Sequence, residues 1–458
     1  MERRVKWSWM AGLVLPLLSL RAVAGPADEA ALQRQATAIL AEDIVSSAPG
    51  ASVLIAQDDR VLFRAARGGA NLELGVPLSP EQVFRIGSLT KTFTAAAILK
   101  LSAAGKLSIE DPLSKFLPDF PNGGRITLAQ LLSHTAGVSD AWDVDASKPQ
   151  DTSALLKLIA GHAPDFAPGT DWAYSNSGYI VLGAVLEKVT GQPWQASLRS
   201  LLAQPLGLSR TAFHPDEAVV PGRVAGYSRS ERGEVTLAPY FSISGPGAAG
   251  ALTSSVDDLF RWMRALVTGR VVPPALYAAM SSAKTTTAGK TVPYGYGLML
   301  GTVRGEPVIE HNGGIEGFAS HLTYFPKQRV TVVVLANTDA RPPNPRSLAH
   351  RLGALAIGRP YIELRPQKTD DRQRQELCGT YRIDATARRT LSAADGTLWV
   401  QRDGGPKQPL AVAPKDLLFF PYDGTDYFKI IRDAQGRVIA LDFYADGTAP
   451  ARREARIP

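Results

Sequence analysis

Three short groups of residues in this 458-residue chain have the types and spacing to do chemistry together. The first is Phe84-Arg85-Ile86-Gly87-Ser88-Leu89-Thr90-Lys91. A helix is expected to begin at Ser88, because Thr92 to Ala104 is rich in helix formers and Gly105 stands where a C-terminal cap belongs. Residues three apart share a helix face, so the Ser88 hydroxyl and the Lys91 amine can meet. The unpaired N–H groups and partial positive charge of a helix N-terminus disfavour the ammonium form of Lys91. A neutral lysine is then a base able to activate a serine nucleophile, and the Ser88 N–H is a donor for an oxyanion.

The second and third groups are Tyr174-Ser175-Asn176 and His311-Asn312-Gly313-Gly314. A phenol near an ammonium has a lowered pKa, so Tyr174 is expected to take the serine proton and return it to the leaving group. Asn176 carries an amide that can donate to a substrate carbonyl and hold Lys91. The glycines let backbone approach a ligand closely, so Gly313 belongs to the substrate-binding wall and the Gly314 N–H is the second oxyanion donor. His311 is expected as a polar wall of the same pocket. No other Tyr-x-Asn or His-x-Gly occurs. The chain also contains its own control: Ser281-Ser282-Ala283-Lys284 repeats the first pattern and is read as a solvated loop.

Taken in order, the three groups resemble the penicillin-recognising serine hydrolases, specifically the branch of class C β-lactamases, D-aminopeptidases, low-molecular-weight penicillin-binding proteins and related esterases. Flanking stretches add to the likeness: Leu131-Leu132-Ser133-His134-Thr135-Ala136-Gly137, Pro168-Gly169 ahead of Tyr174-Ser175-Asn176-Ser177-Gly178-Tyr179, and Tyr294-Gly295-Tyr296-Gly297. The resemblance covers most of residues 35 to 345. It implies an α/β (α+β) serine β-lactamase/transpeptidase-like fold, with an antiparallel sheet flanked by helices plus a helical region. It also implies a site in the cleft between them and a Ser88 acyl-enzyme that water hydrolyses. The strand-rich tail is similar to the lipocalin-like domain appended to some members. Two positions depart from the β-lactamase and carboxypeptidase pattern, where lysine usually stands in place of His311 and threonine or serine in place of Asn312. A mostly neutral imidazole suits a substrate carboxylate less well than an ammonium. The expectation is therefore a peptidase or amidase of D-amino-acid type, with an esterase, a weak β-lactamase, or a slowly deacylating β-lactam or cell-wall-peptide sensor as alternatives.

Other chemistries find less footing. Gly245-Pro246-Gly247-Ala248-Ala249-Gly250 spells the dinucleotide fingerprint without a βαβ unit, and the helix after it is expected to start from a Ser254 cap with Asp257 three residues on. That segment reads as a tight loop bordering the cleft. No Gly-x-Ser-x-Gly elbow occurs. The six histidines (His134, His162, His214, His311, His321 and His350) have no close metal-ligand spacing, so neither a metal nor a cofactor is expected. His134 is read as a loop stabiliser through backbone hydrogen bonds. The single cysteine, Cys378, permits no internal disulfide and reads as a buried structural thiol.

The elements that must position these residues follow from texture. Hydrophobic residues make up 45% of the chain and charged residues 20%, ample for a packed core. Arg3, Arg4 and Lys6 precede an apolar stretch from Trp7 to Leu20, and Ala22-Val23-Ala24 supplies small residues for cleavage. Residues 1–24 are thus expected to be a secretory signal peptide, giving a secreted, periplasmic protein with no later transmembrane segment. Residues 25–362 form the expected hydrolase domain, 363–375 a charged linker and 376–458 a small β-barrel or sandwich. In that last region Asp395-Gly396, Asp403-Gly404, Asp423-Gly424 and Asp446-Gly447 punctuate the strands. The formal charge of +7 falls to +4 without residues 1–24. That is too little to point to nucleic acid; the resemblance implies a small peptide, amide, ester or β-lactam as partner, peptidoglycan-derived peptides among them.

Overall fold

The computed structural model describes residues 26–140, 144–421 and 423–457. The expected export segment, residues 1–24, lies outside them. Among the described residues no helix is long and apolar enough to cross a membrane.

An antiparallel six-stranded sheet organises the first 360 residues. Its strands are β1 (Ala51–Gln57), β2 (Arg60–Arg67), β3 (Met299–Val303), β4 (Glu306–Ile315), β5 (Phe318–Phe325) and β6 (Val330–Ala336), in the order β3-β4-β5-β6-β1-β2. The β6 sequence, Val-Thr-Val-Val-Val-Leu-Ala, is buried at every position, as expected of a central strand covered on both faces. Successive side chains point to opposite faces. Val53, Ile55, Val332 and Val334 pack on α1 (Pro26–Asp43) and on a C-terminal helix, Pro345–Ala356. Leu54, Ala56, Val333 and Leu335 face the helical region.

At the centre of that region is α2 (Thr90–Ala103), buried around nearly its whole circumference. A 3-10 turn, Gly87–Leu89, precedes it, so Ser88 sits on the turn that enters the helix rather than on its first α-helical residue. Gly105 adopts a φ of +66° just past the helix end, where only glycine is at ease. The second helix of the layer, α3 (Asn176–Thr190), is capped by the Ser175 side chain, which accepts from Gly178 N. The third, α4 (Val256–Val267), is capped by Ser255, which accepts from Asp258 N. The cap therefore lies one residue beyond the expected Ser254, which is used instead by the short strand Leu252–Ser254. Numbered in sequence, Pro345–Ala356 is α5.

The end of the expected linker is helical: α6 (Asp371–Leu377) forms because Asp370 and Gln373 make a reciprocal capping box, despite lacking apolar periodicity. After it, eight strands between Gly379 and Arg456 close into an up-and-down barrel. Closure comes from pairing Gly379–Arg382 with Arg452–Arg456, which leaves no free edge. Asp395, Asp403 and Asp446 take positive φ ahead of their glycines, as the Asp-Gly turns require. Inside the barrel, Arg389 makes a two-bond contact with the fully buried Glu454 at 2.7 and 3.1 Å, and its guanidinium lies over Phe428. Cys378 is half-buried rather than buried, its thiol donating to Arg374 O.

Candidate active site

The Ser88 turn is placed by the strand that passes over it. A Cβ on Gly313 would lie 2.0 Å from Ile86 O, and one on Gly87, whose φ is +52°, would lie 2.8 Å from Gly314 N. Ser320 Oγ, opposite Gly313 in the sheet register, donates to Ile86 O at 2.8 Å. Gly313 of the third motif and Gly87 of the first are thus what let β4 lie against the Ser88 turn.

Lys91 is fully buried, and its Nζ lies 3.1 Å from Ser88 Oγ, 2.6 Å from Asn176 Oδ1 and 2.9 Å from Ala249 O. Burial pushes its pKa down to about 7, against the pull of the Asp140 carboxylate. A neutral amine has two hydrogens and one lone pair. The two pure acceptors, Asn176 Oδ1 and Ala249 O, take the hydrogens, so the lone pair is left facing the Ser88 hydroxyl. Ala249 belongs to the Gly245–Gly250 segment, whose residues Gly247–Gly250 form a helical turn at the cleft.

Tyr174 needs a correction. Its hydroxyl is hydrogen-bonded to Ser88 and its ring lies 4.8 Å from Lys91 Nζ, but burial raises the phenol above its ordinary pKa. The expected lowering by an ammonium fails because Lys91 is itself driven towards neutrality. A phenol kept protonated can donate a proton into the site, and an amine driven towards neutrality can accept one.

His311 also differs from expectation. It is 1% exposed, with Nδ1 2.7 Å from Asn312 O and Nε2 2.9 Å from the Tyr294 hydroxyl. A carbonyl can only accept, so Nδ1 carries the proton and Nε2 accepts from Tyr294. Burial and the nearby Lys91 push its pKa down to about 3, keeping the ring neutral. His311 stands behind the wall; Asn312, Gly313 and Gly314 line the cavity. His134 likewise serves the backbone: its Nδ1 accepts from Ser175 N at 3.1 Å, and its ring packs 4.4 Å from Tyr174.

Asp140 is the main addition to the sequence reading. Its carboxylate accepts from the N–H groups of Asn176 and Ser177 at 2.8 and 3.2 Å, and from Asn176 Nδ2 at 3.0 Å. It satisfies two orphan donors at the start of α3 and fixes the Asn176 amide with Oδ1 towards Lys91. One Nδ2 hydrogen remains for a substrate carbonyl. Nothing local in the sequence marks Asp140, which is 36 residues from Asn176.

A cavity of 360 Å³ opens on Ser88, Asn176, Pro246, Gly250, Gly314, Ile315, Glu316 and Asp339. Glu316 and Asp339 are its charged lining residues, and none of the described residues lining it is basic. A larger neighbouring cavity, 920 Å³, joins Asn312–Gly314 to Asp423, Asp426 and Asp446 of the barrel. The barrel is thus a wall of the cleft region, tied to it by hydrogen bonds from Arg304 N to Asp446 and from Ser347 Oγ to Asp423 O. In the second Ser-x-x-Lys, Ser281 and Lys284 bond to separate carbonyls, those of Tyr277 and Ala279.

The Beta-lactamase family profile matches residues 37–356. The chain is 30% identical over 321 residues to Protein flp of Staphylococcus aureus (strain COL), covering 67% of this chain and 64% of that protein. It therefore spans just under two thirds of that relative's length. The penicillin-binding protein homologue from Pyrococcus abyssi, described as octameric, superposes with a TM-score of 0.65 at 24% identity, over 93% of this chain and 99% of that one. At that identity the likeness establishes the fold, barrel included. A D-stereospecific amidohydrolase from Streptomyces sp. has a TM-score of 0.59 at 27% identity, over 72% of this chain and 98% of that one. With a serine β-lactamase/transpeptidase-like architecture and a family match across most of its length, this chain belongs to the β-lactamase family of serine hydrolases.

Proposed function

We propose that the protein hydrolyses amide bonds in amino-acid amides and short peptides of the D series that carry a free amino group, through an acyl-enzyme on Ser88. The observation that carries the reading is the buried Lys91, whose Nζ hydrogens are taken by Asn176 and Ala249 while its lone pair faces Ser88 Oγ. Neutral Lys91 removes the Ser88 proton as Oγ bonds to the carbonyl carbon. Negative charge develops on the carbonyl oxygen and meets the N–H groups of Ser88 and Gly314. The C–N bond then breaks, the Tyr174 hydroxyl hands a proton to the leaving nitrogen, and the proton held by Lys91 makes good that loss. Water repeats the sequence on the ester: its hydroxyl joins the acyl carbon and its proton returns to Ser88.

The substrate class rests on two supports. Glu316 and Asp339 in the cavity around Ser88 favour a cationic amine, and neutral His311 offers no fixed charge for a carboxylate. The D-stereospecific amidohydrolase relationship suggests the stereochemistry. Export by removal of residues 1–24 would bring the enzyme to amines and peptides released from cell wall.

The test is turnover of matched D- and L-amino-acid amides, N-acetylated amides, short-chain esters and β-lactams, with intact mass followed over time. The proposal expects D-amides with free amines to be preferred, with N-acetylation costing about tenfold or more. Preference for esters or N-acetylated substrates would overturn the substrate assignment. A penicillin adduct that persists without turnover of any amide would favour the sensor instead.

A further inference from the structure

The fold also gathers buried ligand-type side chains that the hydrolytic mechanism does not use. Glu310 on β4, His321 on β5 and His350 on α5 are all buried, and one ligand atom from each lies within 4.8 Å of the other two. Both imidazoles turn Nε2 onto the same carboxylate oxygen, Glu310 Oε2, at 3.1 Å from His321 and 2.8 Å from His350. Thr323 Oγ1 makes a further contact to that oxygen at 3.3 Å, and Arg346 Nε stands 4.0 Å from Oε1. All three residues lie on the wall of the 920 Å³ cavity between the third motif and the barrel.

We propose that Glu310, His321 and His350 bind a divalent transition-metal ion of the zinc class, with an open coordination position towards that cavity. The donor set is two imidazoles and a carboxylate, which suits zinc and its neighbours better than calcium or magnesium. Three protein ligands beside an open cavity match the composition of a metal site that keeps one position for water or a small molecule. With metal–ligand bonds of about 2.0–2.1 Å, ligand atoms in a tetrahedral set lie roughly 3.3 Å apart. The spacings of 2.8 and 3.1 Å fall a few tenths of an ångström short of that, within reach of small side-chain rotations. The ligands come from three separate elements, so a bound ion would clamp β4, β5 and α5 together.

The competing arrangement is a carboxylate hydrogen-bonded by two imidazoles, and it differs in where the protons sit. Without an ion both rings carry hydrogen on Nε2. Ligation through Nε2 moves the proton to Nδ1, and His321 Nδ1, which has no protein partner, would then be completed by water from the cavity.

The full chain, stripped with a chelator and dialysed, is titrated with Zn²⁺ by calorimetry and with Co²⁺ by visible absorption. We expect one equivalent of Zn²⁺ bound, a rise in Tm on loading, and Co²⁺ ligand-field bands that Zn²⁺ displaces. His350→Ala and Glu310→Gln should both lose the one-equivalent binding, whereas Ser88→Ala should keep it. Glu310→Gln is nearly isosteric and can still bond to the imidazoles, so it decides the matter if His350→Ala does not fold. Absence of stoichiometric binding in the stripped wild type, or equal binding by the Glu310→Gln variant, would overturn the site and leave the hydrogen-bonded arrangement.

Discussion

Ser88–Lys91 and Ser281–Lys284 share the same pattern of residue types and spacing, yet they end in opposite environments. In the first, a 3-10 turn runs into a helix, both side chains lie on one face, and the lysine is fully buried between two carbonyl acceptors and the serine. In the second, Ser281 closes the helix Pro274–Met280 and Lys284 already opens a strand, so the spacing is no longer helical. Ser281 Oγ donates to Tyr277 O, while Lys284 Nζ donates to Ala279 O and lies 3.8 Å from the centre of the Tyr296 ring. Burial lowers the pKa of both lysines, but only Lys91 is brought to about 7. A Ser-x-x-Lys pair is brought together when the backbone between its ends is helical and a second element supplies acceptors for the amine.

The comparison can be broken most decisively at the serines. Ser88→Ala should abolish labelling by a fluorophosphonate probe and lower turnover by about 10⁴-fold or more, while Ser281→Ala leaves both unchanged. Labelling that follows Ser281 would invert the assignment. Replacing the lysines comes next: Lys91→Met should cost about 10²- to 10⁴-fold in acylation rate, the usual range for a general base. Its Tm should fall modestly, because Asn176 Oδ1 and Ala249 O lose the donor that satisfies them. Lys284→Met should leave acylation untouched, and a matching loss there would mean that the second pair also serves the site.

A smaller effect is expected at Asp140. Asp140→Asn lets the facing Asn176 amide turn over, presenting Nδ2 rather than Oδ1 to Lys91. Acylation should slow by about 10- to 100-fold, with the pH dependence of kcat displaced, since the Asp140 charge opposes the lowering of the Lys91 pKa. A change in Tm alone, with the pH profile unmoved, would reduce Asp140 to a helix cap.

What could be read from the sequence separates along the same line as the two lysine pairs. Ser88 and Lys91 are legible because both belong to one turn and helix. Tyr174, Asn176 and Gly314 converge on them, and their order along the chain marks the family. The barrel strands are legible because Asp395, Asp403 and Asp446 adopt the left-handed backbone that Asp-Gly turns use. Its closure into a barrel follows from the likeness to a lipocalin-like domain rather than from the turns, because it depends on Gly379–Arg382 meeting Arg452–Arg456 across the whole domain. Asp140, the carbonyl of Ala249 and the Glu310–His321–His350 group were out of reach for the same reason: each acts through a contact between separate elements. The direction of the Tyr174 pKa is not legible, because sequence shows a neighbouring lysine but not the burial that neutralises it.

The central claim is that Ser88 is activated by a lysine that is neutral near pH 7. The most direct measurement is the rate of Ser88 acylation as a function of pH, followed by intact mass with a substrate or probe that does not itself titrate. Lys91 must lose its proton to act, so the rate should rise with increasing pH through a single ionisation at about 7 and level off above it. A profile that is flat across that range, or that falls as pH increases through it, would contradict the account.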